Sequence, residues 1–260
     1  MLFTLPAFAG VDDDWRNLYS QAQYAAVSKD YAKAEAIYNK ALHEAERFGS
    51  DDVRVASTLQ GLGVTLRREK RLTDAEGDLE RAVSIYSTNP GDDSLEFALA
   101  QTDLAGVLTD EGKYQPALQS LTLALPIFDH KLAPEDNQIA AALCMQGDTY
   151  RMLKMYSRAE VPLRRCADIR ADDGGVGTAE FGEAANSLAI VYQFTGKYAE
   201  ADLYFNYAET IRVTSLGFLS PEFAATLEAH AILLHQLGQD KEAKDKEKLA
   251  AQIRSHTSRK

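Results

Sequence analysis

Five pairs of side chains recur along the chain at a seven-residue offset: Gln60 with Arg67, Thr102 with Thr109, Cys144 with Arg151, Asn186 with Gln193, and Glu228 with His235. A seven-residue step returns to the same face of a helix, so each pair can present its groups together, and Asp148 joins them one turn beyond Cys144. Side-chain amides offer both a donor and an acceptor, and a guanidinium grips a carboxylate through two bonds. The side chains so placed that could bond a ligand's polar groups are Gln60, Arg67, Thr102, Thr109, Asp148, Arg151, Asn186 and Gln193. Catalytic chemistry finds no comparable set. His43, His130 and His256 fall at helix ends or in the tail, and His230 and His235 share a helix without an HExxH motif or a carboxylate partner. Cys144 is expected to be a small filler on a polar surface, and Cys166 an inert buried thiol. Two cysteines make neither a disulfide framework nor a zinc site, so no catalytic residue, metal or cofactor is expected. Gly174, Gly175 and Gly177 form a flexible turn with no lysine after it to suggest a phosphate loop.

The elements that must carry these residues are set by a period. Ala34, Ala75, Ala117, Ala159, Ala201 and Ala243 stand 41, 42, 42, 42 and 42 residues apart. Twelve residues before each lies a second small residue: Ala22, Gly63, Ala105, Gly147, Ala189 and Ala231. Self-similarity of this length in helix-forming sequence marks stacked units that bury their apolar faces against their neighbours. Each period splits into two amphipathic stretches joined by a short turn such as Glu111-Gly112-Lys113 or Thr195-Gly196-Lys197, which predicts two antiparallel helices. Along the second helix a bulky residue four after the alanine (Tyr38, Leu79, Leu121, Leu163, Phe205) is followed by a small one (Ala41, Ala82, Ala124, Cys166, Ala208). Small side chains let two helix backbones close to roughly 8–10 Å while large ones fill the flanks.

Signals at the ends agree with that division. Ser50-Asp51 and Ser220-Pro221 are expected to place N-cap hydroxyls, and the glycines at 112, 196 and 238 to close the helices before them. Pro126 and Pro162 fall inside second helices, where kinks are expected. The last repeat has Glu247 at the bulky position, too polar to receive another unit, so it caps the array. The basic tail from Arg254 to Lys260 is expected to fray.

Composition narrows the partners. A net charge of −11 opposes nucleic acid and anionic membranes, which require a basic footprint. Much of the acidity belongs to turns that open repeats, at Asp51-Asp52, Asp92-Asp93, Glu135-Asp136 and Asp172-Asp173, where carboxylates favour helix N-termini. No apolar run approaches the roughly 18 residues of a membrane span. Residues 1–12 form an apolar N-terminal segment ending in Ala7-Phe8-Ala9 and a run of aspartates, which reads as the tail of a signal peptide lacking its basic region. The expectation is an exported or periplasmic protein, with a cytoplasmic one as the alternative. Residues 13–260 are expected to form a single six-repeat domain.

Small residues in both helices, an aromatic after the turn and a leucine or aromatic before the final alanine resemble the tetratricopeptide repeat. Thr195-Gly-Lys-Tyr-Ala-Glu-Ala201, Glu111-Gly-Lys-Tyr-Gln-Pro-Ala117 and Ser220-Pro-Glu-Phe-Ala-Ala-Thr-Leu227 are similar to the 42-residue subtype of kinesin light chains and their bacterial relatives. The resemblance covers nearly the whole chain. It implies an all-α, right-handed superhelical solenoid of six helix-turn-helix repeats, whose first helices line a concave groove. In that column kinesin light chains are rich in asparagine, whereas this chain has Tyr19, Gln60, Thr102, Cys144, Asn186 and Glu228. The function implied is a non-catalytic scaffold binding a peptide or protein segment in the groove. The alternative is a structural or assembly subunit that associates through its ends or convex face.

Overall fold

A computed structural model describes residues 7–174 and 176–257. Among the described residues twelve α-helices follow one another: α1 (Ala7–Val27), α2 (Tyr31–Glu46), α3 (Val53–Arg68), α4 (Leu72–Tyr86), α5 (Leu95–Asp110), α6 (Tyr114–Lys131), α7 (Asn137–Met152), α8 (Tyr156–Gly174), α9 (Ala179–Phe194), α10 (Tyr198–Ser215), α11 (Pro221–Gln236) and α12 (Asp240–Thr257). A turn, Ser87–Gly91, with Asn89 in an extended conformation and a cis Asn89–Pro90 bond, joins α4 to α5. No strand occurs among the described residues. The chain divides into two compact units, Met1–Lys131 with α1 to α6 and Leu132–Lys260 with α7 to α12, so each holds three of the predicted helix hairpins.

Both small-residue columns are buried as expected. Every alanine from Ala34 to Ala243 at the 42-residue period is fully excluded from solvent. Leu79, Leu121, Leu163 and Phe205 are equally inaccessible beside them. In the first unit Val55, Leu59, Ile85, Tyr86 and Phe97 meet across neighbouring hairpins. In the second, Phe223 and Leu227 of α11 close on Ile253 of α12. Full burial of a large apolar side chain contributes about 1.5–3 kcal/mol, and these contacts bind helix to helix both within and between hairpins.

The turns reuse one geometry. The residue two before each second helix has a left-handed backbone: Gly112, Gly196 and Gly238 at φ +77, +80 and +74, but Lys29, Lys70 and Lys154 at φ +62, +65 and +58. Glycine adopts this conformation freely, whereas a residue with a β-carbon is disfavoured there by roughly 1–2 kcal/mol. The Ser220 hydroxyl caps α11, accepting from Phe223 N at 3.1 Å. At α3, however, the cap is Asp52 rather than Ser50, its carboxylate accepting from Arg54 N at 2.9 Å. Asp136 caps α7 in the same way, while Asp172 and Asp173 belong to the last turn of α8 and open nothing.

Helices α6 and α8 contain Pro126 and Pro162 without interruption. One difference follows from a partner that only the folded chain supplies. Arg254 does not fray: within α12 it pairs with both oxygens of Glu228 at 2.5 and 2.6 Å, and only residues 258–260 of that tail lie outside the described residues. Of the expected signal-peptide tail, Met1–Pro6 lie outside the described residues, and α1 begins at Ala7. Gly175 of the expected glycine turn lies outside them too. No helix among the described residues is long and apolar enough to cross a membrane.

Candidate functional site on the first helices

In the first unit, the first helices are stitched side by side through pairs 43 residues apart, one residue more than the repeat. Trp15 Nε1 donates to Thr58 Oγ1 at 2.9 Å, and Gln60 Nε2 donates to Asp103 Oδ2 at 2.7 Å. Arg67 makes a two-bond contact with Asp110 at 2.9 and 3.3 Å. Its guanidinium lies so close over Gly106 that a β-carbon there would stand 2.2 Å from Nη1. Arg67 is thus a strap between α3 and α5, its charge already matched. Thr102 and Thr109 donate their hydroxyls back to Ala98 and Ala105 carbonyls of their own helix at 2.9 and 2.8 Å. Trp15 stacks on Tyr19 at 5.2 Å, and Tyr19 meets Tyr38 edge-on at 5.9 Å.

Asp103 is the electrostatically unusual member. Burial raises its pKa from 3.8 to about 6, against the opposing pull of the Gln60 hydrogen bond and the Arg67 charge. Because the folded value exceeds the unfolded one, ionised Asp103 is a cost to the fold that is fully felt above pH 6 and relieved as pH falls from 6 towards 4. Asp103→Asn preserves the shape and an acceptor for Gln60. It is expected to raise stability at pH 7.5 by about 2 kcal/mol and to flatten the pH 4–6 region, read by urea unfolding at each pH.

The second unit carries the remaining predicted residues. Arg151 Nε donates to Asp148 Oδ1 at 3.0 Å within α7. Gln193 is buried and donates Nε2 to Gln236 Oε1 at 3.0 Å, again 43 residues on. Asn186 is half-buried, and its Oδ1 is sealed from solvent with no hydrogen-bond partner among the described residues. Both predicted arginines are therefore paired within their own unit, and the group left with an unmet bond is the Asn186 amide. Asp103, Asp110 and Gln236 were not anticipated. The signal for all three was the repeat period plus one, counted from Gln60, Arg67 and Gln193.

Two expectations about reactive side chains are corrected. Cys144 of α7 and Cys166 of α8 form a disulfide, with Cα atoms 5.4 Å apart. Facing positions on the two helices of one hairpin bring them together, so Cys144 is not a free surface filler nor Cys166 a free thiol. His230 and His235 do have carboxylate partners, contributed by other helices. Fully buried His230 lies between Glu209, at 2.7 Å from Nδ1, and Asp202, at 2.8 Å from Nε2, and stacks on Phe205 at 5.0 Å. Lys246 of α12 completes this group, bonding both Glu209 oxygens at 2.9 and 2.8 Å. Burial would raise the Glu209 pKa, but His230 and Lys246 outweigh it and hold the carboxyl below its ordinary range. His235 bonds Asp240 at 2.7 Å and Glu247 at 3.2 Å, and the Asp240 bond leads in raising its pKa. These networks fasten α12 to α10 and α11. No group of three metal-ligating side chains that could hold an ion occurs among the described residues.

Comparison with known proteins follows the same lines. The tetratricopeptide repeat family model matches residues 16–88. No curated protein matches the chain. Among solved structures, BtubC (BKLC) from P. vanneervenii superposes with a TM-score of 0.71 at 18% identity, over 88% of this chain and 92% of that one. A putative kinesin light chain from Podospora anserina with nearly identical TPR-like repeats gives 0.64 at 20% identity, over 78% and 96%. YrrB, described as a TPR protein with an unusual peptide-binding site, gives 0.57 at 16% identity, over 82% and 91%. Six helix hairpins at a 42-residue period, buried small-residue columns and these likenesses together give the chain the fold of tetratricopeptide repeat proteins, with residues 16–88 matching that family's model.

Proposed function

We propose that the protein is a non-catalytic interaction scaffold that holds a peptide or protein segment along the first helices of its repeats. The observation that carries this is the half-buried Asn186 amide of α9, whose Oδ1 has no hydrogen-bond partner among the described residues while Arg151 and Gln193 of the same unit are engaged. A buried polar atom without a partner costs about 1–3 kcal/mol, and rotation of the amide toward its exposed side lets a peptide backbone N–H supply the missing bond. The described peptide-binding site of YrrB, a likeness in fold, supports the same class of ligand.

Affinity capture from the native organism, quantified by mass spectrometry, tests this against Asn186→Leu. The variant keeps the side-chain size and removes the amide. Recovery of the partner is expected to fall at least tenfold, the equivalent of about 1.4 kcal/mol. Undiminished recovery overturns the assignment. A stable self-oligomer in light scattering, with no thermal stabilisation by the recovered segment, would favour an assembly subunit instead.

A further inference from the structure

Away from the first-helix face, the edge of each unit that bears the intra-repeat turns carries a notch between successive hairpins, and the two notches are built alike. In the first unit a cavity of about 470 Å³ is lined by Lys29, Tyr31, Val27, Val64 and Arg68 among others. In the second, one of about 420 Å³ is lined by Lys154, Met155, Tyr156, Arg158 and Phe194. Both volumes fall within the roughly 300–1,000 Å³ of small-ligand clefts. Each notch combines a lysine from the turn, the tyrosine that opens the second helix, a further arginine, and an apolar side chain from the end of a first helix.

The chemistry of the two linings is unusual for this chain. Its net charge is −11, yet no carboxylate lines either notch. Many other cations on the molecule are taken: Arg71 by Glu35 and Asp74, Lys113 by Glu76, Lys197 by Glu160. Among the described residues, Lys29, Arg68, Lys154 and Arg158 are exposed and make no ion pair. The apolar parts are also open to solvent. Val27 is 83% exposed, and Phe194, 58% exposed, lies flat on Tyr156 with ring centroids 4.3 Å apart. Lys29 and Lys154 hold the left-handed turn position that glycine fills without strain at 112, 196 and 238. A backbone held in a disfavoured region with an unpaired charge on it is a reason to look for a ligand. The corresponding edge of the last hairpin differs in charge: its cavity is lined by Gly238, Gln239, Asp240, Lys241, Glu242 and Asp245, so one lysine stands among three carboxylates.

We infer that the two notches are docking sites for a partner's acidic segment, one apolar side chain entering each notch and the flanking carboxylates pairing with Lys29 and Arg68 or with Lys154 and Arg158. Charge complementarity selects that occupant. A basic segment meets two unpaired cations, and a neutral apolar one leaves them unmatched. This is a second surface, independent of the Asn186 face.

The test is isothermal titration of the full chain with a hexapeptide whose phenylalanine-leucine core is flanked on each side by two glutamates. Two equivalents are expected to bind, at least fivefold more weakly in 300 mM than in 50 mM salt. Lys154→Glu with Arg158→Glu should remove one equivalent, Lys29→Glu with Arg68→Glu the other, while Asn186→Leu leaves both. The same peptide with lysines for glutamates should not bind. No binding, binding unchanged in the reversed-charge variants, or equal binding of the lysine peptide overturns the inference. Binding lost only in Asn186→Leu also overturns it, while leaving the first-helix face intact as a peptide site. If a reversed-charge variant fails to fold by circular dichroism, the glutamine versions of the same pairs decide, with the same loss expected.

Discussion

The variant carrying Cys144→Ser and Cys166→Ala is expected to be less stable than the parent by about 3 kcal/mol, and a dithiol reductant should bring the parent down by the same amount. The bridge joins α7 to α8 across a sequence separation of 22 residues. Holding such a loop closed in the unfolded chain removes entropy equivalent to about 3 kcal/mol. Packing adds little to the expected loss. Cys166 is fully buried in the column where Ala41, Ala82, Ala124 and Ala208 stand, so alanine there leaves no foreign shape. Against a total stability of about 5–15 kcal/mol, the change is a large fraction. Because each hairpin is supported only by its neighbours, loosening this one also weakens the hold on α9. Urea unfolding, with the midpoint compared between oxidised parent, reduced parent and double variant, reads the effect. Equal midpoints for all three would mean that the sulfurs carry no stabilising link.

How much could be read in advance depended on whether a residue answers to its own helix or to a neighbour. The alanine and glycine columns were legible because burial at each position is set by helical periodicity, repeated six times. Ala117 and Ala159 are fully buried for the same reason as Ala34. The closing glycines at 112, 196 and 238 were legible because a left-handed turn has few chemical solutions. What was hidden belongs to side chains that reach across hairpins. Gln60 bonds Asp103, a partner fixed by the offset between stacked helices, which no periodicity within one helix records. His230 looked isolated because its two carboxylates lie 28 and 21 residues before it, on another helix. Arg67 and Arg151 were expected to grip a ligand's carboxylate, and each instead has an aspartate of its own unit beside it. In an acidic chain, arginines on the first helices find internal partners first.

The same substitution is expected to act with opposite sign at two mid-helix glycines. Gly77 of α4 is exposed, and a β-carbon built there meets nothing within 4 Å. Gly77→Ala removes only backbone freedom from the unfolded chain and should stabilise by about 0.5–1 kcal/mol. Gly147 of α7 belongs to the buried small column, where a β-carbon would fall 2.4 Å from Leu163 Cγ and 3.2 Å from the Ala159 carbonyl oxygen. Leu163 is itself fully buried and has no empty space to enter, and the carbonyl belongs to the backbone of α8, so the hairpin must open to admit one methyl group. Gly147→Ala should therefore destabilise by about 1–3 kcal/mol, despite alanine's better helix propensity. In the hairpin of α5 and α6 the equivalent position is Ala105, also fully buried, so the α7–α8 pair must approach more closely than α5–α6 does. Thermal melts of the two variants decide the matter. A rise in Tm for both would mean that α7 and α8 are not in the close contact on which the Cys144–Cys166 bridge and the register of the second unit rest.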